Sequence, residues 1–133
     1  MTVDTSNLQT ALYAALVAAS VAGGRVYDRL RQDASPEPGS PIVNIGPKVH
    51  VNDDTSSGDA LEVTYTLDIW SRYDGSKEIN DVQTTVRTAL HQQNLTVTGL
   101  SSCICYVDGG SDFMDRDGQT RHGVIRVRCH PRA

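Results

Sequence analysis

At 133 residues and 14.4 kDa the chain is the size of one domain, and it can bury about two-thirds of its unfolded surface without help from metal or disulfides. Hydrophobic residues make up 38% and aromatics 5%, which predicts an aliphatic core, and a net charge of −4 excludes a free-standing nucleic-acid binder with a basic surface. Three cysteines, an odd number, exclude a complete disulfide framework and suit a reduced, cytosolic setting.

The most apolar run, Leu8 to Ala22, is interrupted by Gln9, Thr10 and Ser20 and is shorter than the roughly 20 residues needed to cross a membrane. Asp4 and the lack of Lys or Arg ahead of it do not fit a signal peptide. The expectation is a protein that stays in the cell that makes it, with no membrane partner.

Leu8, Ala11, Leu12, Ala15, Leu16 and Ala19 form one apolar stripe, so the first element is a helix. Ser6 and Gln9 suggest a capping box, and Gly23-Gly24 a stop. Arg25 to Asp28 reads as a short extended piece. Pro36, Pro38, Pro41 and Gly39 mark residues 31–41 as a surface loop. Ile42, Val43 and Ile45, closed by Gly46-Pro47, form a short strand. Residues 48–60, with Asp53-Asp54-Thr55-Ser56-Ser57-Gly58, contain too little apolar surface to order alone and are expected to be mobile.

The clearest strand follows, where Leu61, Val63, Tyr65, Leu67 and Ile69 alternate with Glu62, Thr64, Thr66, Asp68 and Trp70. Asp74-Gly75 turns the chain into a second helix, with Ser76 as cap and a buried stripe of Ile79, Val82, Val86, Ala89 and Leu90. Glu78 and Asp81 near its start and Arg87 and His91 near its end agree with the helix dipole. Strands are then expected at Leu95–Leu100, Cys103–Val107 and Val124–Cys129, the last two joined by a mobile polar tip over residues 108–123. The fold class is α+β, a mostly antiparallel sheet flanked by two helices, in a single domain spanning residues 1–133.

Charge is unevenly placed. Residues 53–117 hold twelve acids against Arg72, Lys77, Arg87 and Arg116, whereas residues 118–133 hold four arginines and no acid. Such polarity suits pairing between copies or with a partner. Arg126 and Arg128 on the last strand are candidate contacts for Asp53, Asp54 or Asp112 of a neighbour. The alternatives for this basic face are a solvated surface, protection of a sheet edge, or contacts to phosphate. Trp70, the only tryptophan, either covers a helix or anchors an interface, and Phe113 joins the candidate contacts.

No catalytic, cofactor-binding or metal-binding residues are expected. Cys103-x-Cys105 in a strand lacks the turn spacing of a zinc site, so these two and Cys129 read as small core hydrophobes. Asp112, Asp115 and Asp117-Gly118 resemble a calcium loop only until Phe113, which stands where an acid is wanted. His50, His91, His122 and His130 have no nucleophile in a recognisable setting beside them.

The order of pieces resembles the tail-terminator or tail-completion family of long-tailed phages, prophages and gene transfer agents. The stretches that carry this are Leu8-Gln9-Thr10-Ala11-Leu12-Tyr13-Ala14-Ala15-Leu16, Arg25-Val26-Tyr27-Asp28, Pro41-Ile42-Val43-Asn44-Ile45-Gly46 and Leu67-Asp68-Ile69-Trp70-Ser71-Arg72, the last leading through Gly75-Ser76-Lys77-Glu78 to Val86-Arg87-Thr88-Ala89-Leu90. The resemblance implies a fold like that of the minor tail protein U of lambdoid phages. It also implies a hexameric ring at the head-proximal end of the tail, assembled in the bacterial cytoplasm. The ring would bind the tail tube protein on one face and a neck or stopper protein on the other, with DNA passing through the lumen unbound. The alternatives are a neck or head-completion protein of the same particle, and a small cytosolic enzyme or ligand-binding domain.

Overall fold

Leu8, Leu12 and Leu16 recur every fourth residue and are fully buried, which sets the inward stripe of the first helix, α1 (Thr5–Ala18), in the computed structural model of the chain. The structure describes residues 4–28, 36, 39–52 and 60–133. The cap of α1 is Asp4 rather than Ser6: its Oδ1 accepts from the Ser6 N–H at 2.8 Å, and its carboxylate suits the positive end of the helix. The helix also stops before Gly23-Gly24. Ser20 and Ala22 take φ of 55° and 51° around a 3-10 turn (Val21–Gly24), a conformation that burial of Val21 and Ala22 holds in place.

The remaining elements are β1 (Val26–Tyr27), β2 (Ile42–Asn52), β3 (Leu61–Ser71), α2 (Lys77–Leu90), β4 (Gln93–Asn94), β5 (Ser102–Met114) and β6 (Arg121–Arg132). The strands make one sheet in the order β1-β2-β3-β6-β5-β4, with β1–β2 parallel and every other pairing antiparallel. This is the expected α+β class. Ser76 precedes α2 as expected, but its side chain makes no capping bond.

Three segments depart from the expected pattern. Gly46-Pro47 does not end β2, because both residues sit in a bulge opposite Thr66 and pairing resumes at Lys48↔Tyr65. Proline has no N–H to lose there, so the ladder runs on to Asn52. Residues 53–59, including Asp53 and Asp54, and most of the proline-rich loop lie outside the described residues. The strand expected at Leu95–Leu100 does not form: the two-residue β4 lies just ahead of it, after Gln92 at φ 59°, and Val97 is buried within an irregular turn instead. The polar tip shrinks because β5 and β6 pair from Ser102↔Arg132 to Met114↔Arg121. A bulge at Val107/Gly109 shifts the register by one residue, and a Cβ at Gly110 would run into the Val124 carbonyl oxygen.

Both helices lie over one face of the sheet. The leucines of α1 and Ile79, Val82, Val86 and Leu90 of α2 share one core with Val63, Tyr65, Leu67 and Ile69 of β3, Cys103 and Cys105 of β5, and Val127 and Cys129 of β6. Each fully buried Leu or Ile contributes about 1.5–3 kcal/mol. Helix α2 packs tightly on Gly123, where a Cβ would stand 2.8 Å from Ile79 Cδ1. The alternate residues of the strands form an opposite face that neither helix covers.

Candidate assembly surface

Strict alternation fixes what this uncovered face presents. Register places Thr64, Thr66, Asp68 and Trp70 of β3 beside Arg128, Arg126, Val124 and His122 of β6, and Phe113 of β5 beside His122 on the other side. Trp70 therefore covers no helix. Its indole stacks on the His122 imidazole with ring centroids 5.0 Å apart and planes 18° from parallel, while Phe113 leans on the same imidazole from 5.0 Å at 56°. His122 Nε2 lies 2.9 Å from Asp68 Oδ1, so the ring is held at its edge as well as on its faces. Phe113 and Met114 remain about half exposed, at 49% and 46%. Apolar and aromatic side chains left uncovered beside charged groups have the composition of a protein-binding patch.

Further along β6 the basic side chains behave differently from one another. Arg128 Nη2 contacts Asp108 Oδ1 at 3.2 Å and its guanidinium lies 5.3 Å over the Tyr106 ring, so it is engaged within its own chain. Tyr106 in turn meets His130 edge-on at 5.6 Å. Arg126 is exposed and makes no ion pair with any described residue. Strand β6 is central in the sheet, which removes edge protection as the reason for its arginines. Asp112 lies opposite Gly123, out of alternation with Phe113, and is exposed.

The turn between β5 and β6 is organised by Asp117. Its carboxylate accepts from the Gln119 and Thr120 N–H groups at 2.8 Å each and from the Thr120 hydroxyl at 2.6 Å. These bonds, the Thr120 hydroxyl first, hold its pKa down at about 2. Arg72 Nε donates to Thr120 Oγ1 at 3.2 Å, tying the turn to the end of β3. The carboxylate resembling a calcium ligand is thus committed to its own backbone.

Of the residues expected to contact partners, the structure brings together Trp70 and Phe113, and it adds His122, which the sequence places in a loop. No local signal marks His122, since its partners come from two other strands. The three cysteines are buried, as expected of core hydrophobes, and their Sγ atoms all lie within 4.8 Å of one another. Burial, and then the neighbouring cysteines, push the Tyr65 phenol upward. The groups whose protonation the fold shifts, Tyr65, the three cysteines and Asp117, line none of the grooves found among the described residues. No described helix is long and apolar enough to cross a membrane.

Residues 7–130 match the family model described as tail completion protein gp17. The chain belongs to the tail completion protein family. It is a structural tail protein rather than an enzyme. The tail completion fold is shared with a chain from a solved structure titled virion of native gene transfer agent (GTA) particle, at TM-score 0.79 and 18% identity, with 97% of each chain covered. No curated protein matches the tail completion chain in sequence.

Proposed function

We propose that this tail completion protein forms a ring, of six copies by the family resemblance, that caps the head-proximal end of a tail tube, ends its polymerisation and joins the tail to the neck. The observation that carries the reading is the uncovered aromatic sheet face in a chain whose family completes tails. A tube grows because each ring offers the next the same head-to-tail interface, which never closes on itself. A terminator matches that interface on one side and lacks it on the other.

Trp70, His122 and Phe113 are the proposed anchor for a neighbouring protein. Arg126, unpaired with any described residue, is the proposed contact for an acidic segment of the next copy, Asp53, Asp54 or Asp112. Six copies of a −4 chain carry −24, and acidic groups toward the lumen leave passing DNA few cations to grip. The shared fold with a chain of a gene transfer agent virion supports a place in the assembled particle.

Deleting the gene from a particle-producing strain tests this. The expected result is tails of uncontrolled length without heads, rescued by the chain supplied in trans. Normal tails in its absence end the reading, and co-purification with a head connector but not with tube moves the protein to the neck.

A further inference from the structure

We propose that Cys105 and Cys129 are the site of a cross-strand disulfide formed under oxidation, with Cys103 left as a free thiol. This is independent of the ring. All three cysteines of the chain meet at one point, although they come from two strands. Cys105 and Cys129 are direct register partners of β5 and β6.

The backbone shows which kind of pair they form. The Cys105 carbonyl accepts from Gln92 N–H at 2.7 Å, and the Cys103 carbonyl accepts from Leu95 N–H at 2.8 Å, both on the β4 side. In an antiparallel ladder the N–H and C=O of one residue point to the same side, so Cys105 turns its backbone away from β6. Cys105 and Cys129 are therefore a non-hydrogen-bonded pair, the closer type, with Cα atoms about 4.5 Å apart. Disulfides span about 4.4–6.8 Å between Cα atoms, so the backbone already suits the bond.

The sulfurs agree. Cys105 Sγ and Cys129 Sγ stand 3.1 Å apart. Two thiolates on a tetrahedral zinc ion, with Zn–S of about 2.3 Å, would lie about 3.8 Å apart. A structural zinc ion also takes four ligands, and the cluster offers three sulfurs; the buried Tyr65 hydroxyl makes no hydrogen bond to any of them. The short Sγ–Sγ approach favours the bond over the metal. Cys103 shares a strand with Cys105, two residues away and about 6.6 Å along it, near the outer limit for a disulfide.

Hydrogen peroxide, a small uncharged oxidant, supplies the oxidation. One sulfur attacks peroxide, gaining oxygen as a sulfenic acid and releasing water. The second sulfur then displaces that oxygen as water, so an S–S bond forms while two thiol protons and two electrons pass to the peroxide. Hydrogen bonds among the three sulfurs draw the Cys103 thiol below its ordinary range and push Cys105 and Cys129 above it, so the attacking sulfur loses its proton to solvent as this part of the sheet opens. Access comes through local opening of the sheet edge at β4, which contributes only two residues beside β5.

The folded full-length chain is treated with hydrogen peroxide, quenched, unfolded and alkylated. The expected result is loss of two of the three thiols, restored by reductant, with fragmentation of the cross-linked peptide joining Cys105 to Cys129. Cys103→Ala keeps the cross-link and Cys129→Ala abolishes it; if the second variant does not fold, the wild-type peptide map decides alone. Three alkylated thiols, a link through Cys103, or stoichiometric metal in the purified chain would each overturn the proposal.

Discussion

The His122 imidazole stacks on the Trp70 indole at 5.0 Å while its Nε2 reaches Asp68 at 2.9 Å, so one ring couples β3 to β6 on the face that no helix covers. Such aromatic pairs contribute about 0.5–1.5 kcal/mol. Trp70→Ala or His122→Ala is therefore expected to lower unfolding stability by about 1 kcal/mol, read in urea titrations. Rescue of a deletion strain by the Trp70 variant should fall by about ten-fold or more, because interface hot spots carry about 2 kcal/mol or more. Full rescue would remove this face from the assembly surface.

At Gly123 the missing side chain makes room for α2 against the sheet. A Cβ there would stand 2.8 Å from Ile79 Cδ1 and 3.1 Å from Cγ1, with Ile79 fully buried. Gly123→Ala should cost about 1–3 kcal/mol of stability through overpacking. Adding Ile79→Val, which deletes Cδ1, should return part of that loss. A double variant no more stable than the single one, measured by chemical denaturation, would show that the strain lies elsewhere.

Asp117 gives the hairpin turn a pH dependence. Its folded pKa, about 2, lies below the ordinary 3.8, so ionisation favours the folded turn. That contribution is complete above the ordinary value and is lost as pH falls from 3.8 toward about 2. Amide exchange at Gln119 and Thr120 should accelerate across this interval beyond the intrinsic trend. In Asp117→Asn the extra acceleration should be absent.

Ser71 joins the end of β3 to the start of α2. Its buried hydroxyl donates to Glu78 Oε1 at 2.7 Å and accepts from the Tyr73 N–H at 3.2 Å. Ser71→Ala removes both bonds, and because Tyr73 is exposed and Glu78 half-buried it is expected to destabilise by about 0.5–1.5 kcal/mol in thermal or urea unfolding. Ser71→Thr, which retains a hydroxyl, should cost less.

What the sequence made readable was local. The alternation from Leu61 to Ile69 and the stripe of Ile79, Val82, Val86 and Leu90 specify their elements through side-chain period alone, and both stand where expected. Gly46-Pro47 misleads because the same pair that ends a strand also fits a bulge, and only the partner strand decides between them. The Trp70, His122 and Phe113 stack and the meeting of the three cysteines follow from register between strands far apart in sequence. Composition and period carry no record of that register.

Strand β6 lies between β3 and β5, yet it follows both in the chain. During translation, β1–β2–β3 and β4–β5 emerge as two fragments that have no common edge until residues 121–132 arrive between them. Cooperative folding therefore waits for the last strand, and a ribosome stalled before Arg121 would leave two exposed strand edges, each open to aberrant pairing.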